Sequence, residues 1–308
     1  MIVMDYKKII KSQKLRFFIL RLMKFMPDSL MLRLQYRIKL GRKLNLNAPE
    51  RFTEKIQWYK LNYRNPLMGR CVDKYAVREY VKSKGLENTL TVLYGVYDNA
   101  EDIDFTLLPQ KFVIKSTDGG GGENIFICKD KSKLDIPQVV KAISGWKNKK
   151  NINAGREWAY TCIKKSRYVV EEYLENEKDS GSSISDYKFF CFSGKPYCIA
   201  YDIDRYTEHK RNFYDIKWNN LNILSDCPNF SDICGLYPEG LDEMLKAAEM
   251  LSTGFPFVRV DLYYVNGRVY FGELTFYPWS GYVKFAPDEF DFTLGRQFIT
   301  DKIIKEQR

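Results

Sequence analysis

Apolar positions recur at helical spacing through the first part of the chain and at strand spacing through much of the rest. Residues 6–26 read as one helix. A second opens at Pro27-Asp28-Ser29 and runs toward Leu40, with Gly41 as its stop signal, because proline suits a helix start and glycine the left-handed residue that ends one. A third follows from Thr53, with Glu54 and Gln57 in its first turns and Trp58 and Leu61 on its apolar face. Residues 73–84 repeat the pattern: Tyr75, Ala76, Val77, Tyr80 and Val81 are apolar and Gly85 closes the run.

Strand character then takes over at residues 91–97, 111–115 and 124–128. Residues 141–165 read as helix and loop and lead into Tyr168-Val169-Val170, which ends in Glu171-Glu172-Tyr173-Leu174. After a polar loop at 175–185, residues 186–192 and 196–202 form a hairpin through a tight Ser193-Gly194-Lys195 turn. A helix at 241–251 precedes a second hairpin, in which Arg259-Val260-Asp261-Leu262-Tyr263 and Val269-Tyr270-Phe271-Gly272-Glu273-Leu274-Thr275 flank a Val265-Asn266-Gly267 turn. The order of elements predicts an α+β chain without internal repeats.

A length of 308 residues suits one large unit or two to three subdomains sharing a cleft. Hydrophobic residues at 45% and charged ones at 29% exclude a mostly disordered chain. The formal charge of +10 is concentrated near the start, where Asp28 is the only acid between Lys7 and Lys43. Such a segment suits an anionic surface, and it equally suits the solvated face of ordinary amphipathic helices. No nucleic-acid motif accompanies it, so no nucleic-acid partner is expected.

The stretch from Phe17 to Met31 is broken by Arg21, Lys24, Pro27 and Asp28, short of the roughly 20 apolar residues a membrane span needs. Seven scattered cysteines, Cys71, Cys128, Cys162, Cys191, Cys198, Cys227 and Cys234, contain no CxxC pair, which disfavours disulfides and zinc. The expectation is a cytoplasmic protein, with peripheral membrane contact through its basic N-terminal helices as one of the two readings of that segment. His209 is the only histidine, which leaves no histidine dyad or polyhistidine metal centre.

Candidate chemistry gathers in two places. The C-terminal hairpin sets Asp261 and Glu273 on adjacent strands, with Arg259 two residues before one and Thr275 two residues after the other. One face would then carry a cation, two carboxylates and a hydroxyl, a set able to hold a hard divalent cation against phosphates. Far upstream, Phe112-Val113-Ile114-Lys115 leads into Asp118-Gly119-Gly120-Gly121-Gly122-Glu123, a strand-borne lysine followed by a loop free to close backbone amides over a polyphosphate. The loop is neither a Walker A loop nor a GxGxxG turn. Asp186-Tyr187-Lys188 and Asp204-Arg205 read as well as surface ion pairs, and Trp279 as well as core.

Taken in order, these pieces, with Asp73-Lys74, the Phe189-to-Lys195 stretch and the segment from Arg259 to Gly281, resemble the ATP-grasp superfamily. They are most similar to its TupA-like branch, which is associated with teichuronopeptide and capsular polysaccharide synthesis, from about Asn47 to Phe298. The resemblance implies two α+β subdomains that clamp ATP. It divides the chain into a basic helical region at 1–72, a lid-and-hinge part at 73–174 and a metal-bearing part at 175–308.

It further implies phosphate contacts from Lys74 and Lys115, a lid of Gly119, Gly120, Gly121 and Gly122, and adenine or ribose contacts from Glu171, Glu172 and Leu174. Lys188 and Arg205 become auxiliary cations, Arg259 the transition-state arginine, and Asp261 and Glu273 the Mg²⁺ ligands. Thr275 stands where many relatives carry asparagine, and its hydroxyl is the shorter and weaker ligand. The implied reaction activates a uronic-acid carboxylate of a surface polysaccharide or its precursor with ATP and joins it to an amino acid or other amine. A kinase acting on a glycan, a glycosyltransferase and a non-catalytic scaffold remain alternatives, although no DxD motif at a strand end supports the glycosyltransferase.

Overall fold

A computed structural model describes residues 25–120, 122–148, 155–176, 184–205, 207–231 and 237–300. The helix expected over 6–26 lies outside them up to residue 24, as do Gly121 and Cys234. Helices α1 (Asp28–Leu40), α2 (Phe52–Asn62), α3 (Pro66–Val72) and α4 (Val77–Ser83) come first. Strands β1 (Leu93–Tyr97), β2 (Phe112–Ser116) and β3 (Ile125–Cys128) follow, then α5 (Ile136–Asn148), α6 (Trp158–Thr161) and β4 (Tyr168–Glu172). The remainder comprises β5 (Asp186–Phe192), β6 (Lys195–Ile203), β7 (Lys210–Asp215), α7 (Leu241–Ser252), β8 (Phe257–Val265), β9 (Arg268–Thr275) and α8 (Glu289–Gln297).

Local chemistry sets several boundaries. Gly41 ends α1 at φ 77°, donating to the Arg37 carbonyl. The helix expected over 73–84 is shorter, because Asp73 is extended and its Oδ1 accepts the amides of Tyr75 and Ala76 at 2.9 and 2.8 Å, so α4 begins only at Val77. In the C-terminal hairpin Asn266 and Gly267 take φ 51° and 79°, the left-handed pair that a two-residue turn requires.

Two antiparallel sheets result, ordered β1-β4-β2-β3 and β7-β6-β5-β8-β9. In the first, Phe112, Ile114, Tyr168 and Val170 face a core closed by Val139 and Ile143 of α5. Register pairs Lys115 with Val169 and Val113 with Glu171, so Lys115 and Glu171 share the opposite face. In the second, Phe189, Val258, Val260 and Leu262 pack under Met244, Ala248 and Leu251 of α7. The other face is divided. At one end Phe190 meets Phe52 of α2, while further along Asp186 pairs with Asp202, Lys188 with Asp261, and Asp261 with Glu273.

A bulge aims the last of these carboxylates. Asp261 pairs with Glu273 but Leu262 with Phe271, leaving Gly272 opposite no residue. Plain alternation would send Phe271 and Glu273 to one face; the extra residue sends Phe271 into the core and Glu273 beside Asp261. A Cβ on Gly272 would lie 2.9 Å from the Asp261 carbonyl oxygen, so the bulge needs glycine.

Candidate active site

The residues singled out in the C-terminal hairpin form one bonded group. Arg259 Nε donates to Asp261 Oδ1 at 2.7 Å, and Nη2 donates to Asp261 Oδ2 at 2.6 Å. The same Nη2 reaches Glu273 Oε1 at 3.3 Å and Thr275 Oγ1 at 3.1 Å. Thr275 in turn donates to Glu273 Oε1 at 2.9 Å. Two carboxylates and a hydroxyl therefore converge on one guanidinium nitrogen.

Their electrostatics differ. Burial drives the Asp261 carboxyl up to about 6, against the pull of Arg259 and Lys188. At Glu273, 40% exposed at the side chain, burial also raises the carboxyl, but Arg259, Lys74 and Lys188 outweigh it and hold it at about 2. The site thus holds one carboxyl below and one above the ordinary carboxylate range.

Lys188 is 2% exposed and lies among three acids: it bonds Asp186, with Asp202 Oδ2 at 3.6 Å and Asp261 Oδ2 at 3.4 Å. Arg205 Nη1 donates to Asp186 Oδ2 at 2.8 Å, while Asp186 Oδ1 is buried without a hydrogen bond. Lys188 and Asp186 are thus part of a buried charge lattice, where the sequence read equally well as surface ion pairs. Trp279 is half-buried, stacked on Phe190 at 5.9 Å, with Arg211 over its ring at 5.1 Å.

On the first sheet Lys115 Nζ donates to Glu171 Oε2 at 2.9 Å, and Arg78 Nη1 to Glu171 Oε1 at 3.0 Å. Glu172 accepts the Val92 amide at 3.1 Å, and half-buried Leu174 lies just past the end of β4. The glycine loop leaves β2 at Asp118, and Gly119, Gly120 and Gly122 fall within the described residues. A Cβ on Gly119 would meet the Glu123 carbonyl at 2.8 Å, so this turn also needs glycine.

Lys74 joins the two groups. Its amide donates to Thr117 O at 3.0 Å and its ammonium to the Gly119 carbonyl at the root of the loop. Burial lowers its pKa, while Glu273 of the second sheet and Glu171 and Asp118 of the first raise it and Lys115 lowers it. Lys74 is therefore within electrostatic reach of acids on both sheets.

Sequence reading did not single out Asp202, His209, Arg211 or Arg78. Asp202 on β6 lies directly opposite Asp186 of β5, accepts Arg211 Nη2 at 2.9 Å, and is approached by His209 Nε2 at 3.2 Å. Burial raises its pKa, but Arg211, Lys188 and His209 hold it at about 2. The alternation Cys198, Ala200, Asp202 along β6 was the available signal, since it puts Asp202 on the face of Lys188.

Two antiparallel sheets, one bearing lysines and a glycine loop and the other paired carboxylates, are the arrangement of a nucleotide-clamping class of protein. The TupA-like ATP-grasp family model matches residues 54–299, and the chain belongs to that family. No curated protein matches the chain.

Among solved structures it is similar to a D-alanine–D-alanine ligase from Bacillus anthracis at 17% identity and TM-score 0.40, over 67% of this chain and 56% of that one. The same ligase complexed with ATP aligns at 15% identity and TM-score 0.47, over 77% and 68% of the two chains. An L-amino acid ligase from Bacillus licheniformis aligns at 14% and 0.44, over 83% and 57%. The chain thus spans between 56% and 68% of the length of these proteins.

Proposed function

We propose that the protein is an ATP-dependent carboxylate–amine ligase that joins an amine to the carboxylate of an acidic saccharide. The observation that carries this is the link through Lys74, which is bonded to the root of the glycine loop and electrostatically coupled to Glu273. Support also comes from family membership and from the chemistry of the donors. Asp261 and Glu273 are neighbouring hard oxygen donors, bridged here by Arg259 Nη2, and their lone pairs not taken by the guanidinium fit a divalent cation such as Mg²⁺. Among the described residues no group of three or more His, Cys, Asp or Glu forms a metal cluster, so a cation held here would complete its shell with phosphate oxygens and water. Mg²⁺ supplies charge neutralisation on the phosphates when bound.

A carboxylate oxygen of the saccharide attacks the γ-phosphorus, the bond to the β-phosphate bridging oxygen breaks, and ADP leaves. The amine then attacks the acyl carbon, the bond to phosphate breaks, and nitrogen gives up a proton as the amide forms. Lys74 and Lys115 hold phosphate oxygens, the glycine loop excludes water, and Arg259 offsets the charge that develops on the transferring group. None of this needs a histidine base. Purified protein incubated with ATP, Mg²⁺, a uronic acid and a panel of amines should release ADP beyond a single turnover only when both the uronic acid and an amine are present, and the product mass should be that of the amide. A stable phosphate ester made without amine would establish a kinase instead.

A further inference from the structure

Outside the cleft, two adjoining hollows of about 490 and 580 Å³ share Asp98 and Arg167. The larger presents Arg70, Lys164, Lys165 and Arg167 against Asp73 and Asp98. Lys165 pairs with Asp98 at 2.7 Å, and Asp73 caps α4. Arg70, Lys164 and Arg167 form no ion pair with any described residue, and the first two are exposed. Across both hollows three cations outside ion pairs thus face two further acids, Asp73 and Asp102, each engaged in capping its own helix. Ile163 and Pro66 add apolar lining, and Arg167 lies over the Tyr75 ring at 4.6 Å, so the groove also offers flat surfaces.

The groove is tied to the lid's root. The Arg167 amide donates to Thr117 Oγ1 at 3.1 Å, Thr117 N donates to Arg167 O at 2.9 Å, and Ser166 Oγ donates to Asp118 Oδ1 at 2.6 Å. Cations outside ion pairs, flat lining and an elongated, open shape formed by two adjoining hollows suit a chain of sugar rings bearing carboxylates.

We infer that this groove is a second binding site, separate from the ATP cleft, that holds a uronate-bearing oligosaccharide beside the root of the glycine loop. The choice of uronate rests on the function proposed above; the preference for an anion rests on the groove alone.

The test is fluorescence anisotropy of intact protein with a labelled oligogalacturonide at about 0.15 M salt, where unspecific surface attraction is screened. The wild type should bind it, and a neutral galactan of equal length should fail to compete. The double variant Arg70→Gln/Lys164→Gln should bind at least tenfold more weakly while keeping its ATP affinity, which shows that it is folded. Equal binding by the double variant, equal competition by the galactan, or tighter binding of a single-stranded RNA of the same charge would overturn the proposal. Preference for a phosphate-bearing oligosaccharide over the uronate would overturn the uronate assignment. Charge-dependent uronate binding without uronate- and amine-dependent ADP release would instead reject the ligase activity and leave the groove standing.

Discussion

Replacing Lys188 by methionine removes a buried cation while nearly preserving its volume. Its ammonium contacts Asp186, Asp202 and Asp261, whose side chains are 0 to 3% exposed. Each acid keeps one arginine: Arg205 on Asp186, Arg211 on Asp202 and Arg259 on Asp261. The cost is therefore that of breaking one buried charge lattice, about 3 kcal/mol, and not of exposing three bare carboxylates.

The pH dependence has a definite sign. Asp261 already stands at about 6, above its unfolded value, because of burial, and losing Lys188 pushes it higher. A carboxyl raised in the fold binds more protons folded than unfolded, so stability falls as pH rises from about 4 through the folded pKa. The deficit of Lys188→Met should be full at pH 7.5 and smaller at pH 5. Thermal unfolding followed by circular dichroism should show a midpoint lower by several degrees at pH 7.5, taking roughly 2 °C per kcal/mol for a large chain. A variant as stable as wild type at pH 7.5, or a deficit that grows on acidification, would refute the lattice.

Gly295→Ala places a methyl 1.9 Å from the Glu50 carbonyl where α8 meets the start of α2, so it should lower the melting temperature despite the roughly 1 kcal/mol that alanine usually gains in a helix. Burial lowers Lys60 to about 7, so the fold binds fewer protons than the unfolded chain between about 7 and 10, and stability should rise with pH there by about 1 kcal/mol per unit. Lys60→Met should abolish that rise in melts at pH 7 to 9. Gly272→Val should strain the bulge and turn Glu273 from Asp261, costing ADP release at least tenfold in steady-state assays while the far-ultraviolet spectrum stays native.

The C-terminal hairpin was legible because Asn-Gly between alternating runs forces one turn and one register, which brings Asp261 and Glu273 together. Its bulge was only implicit, as a lone glycine in a strand. Strand β7 and helix α8 escaped because their patterns are masked by buried polar residues: Arg211 and Asn212 lie inside β7, and Asp291 in α8 takes the Thr53 amide and hydroxyl at 2.9 and 2.8 Å. Helix α3 is only seven residues long, too short for periodicity to register. The charge lattice around Lys188 was hidden for a similar reason. Asp186, Asp202 and Asp261 come from three strands, and only their cross-strand register makes them neighbours.

The central claim is that one triphosphate touches both walls of the cleft. Calorimetric titration of wild type, Lys115→Met, Glu273→Gln and the double variant with ATP in excess Mg²⁺ tests it most directly. Each single change should weaken binding tenfold or more, about 1.4 kcal/mol, and the double change should fall short of the sum because both side chains serve one ligand. Loss of affinity from one wall with full affinity retained after the change in the other would contradict a shared clamp.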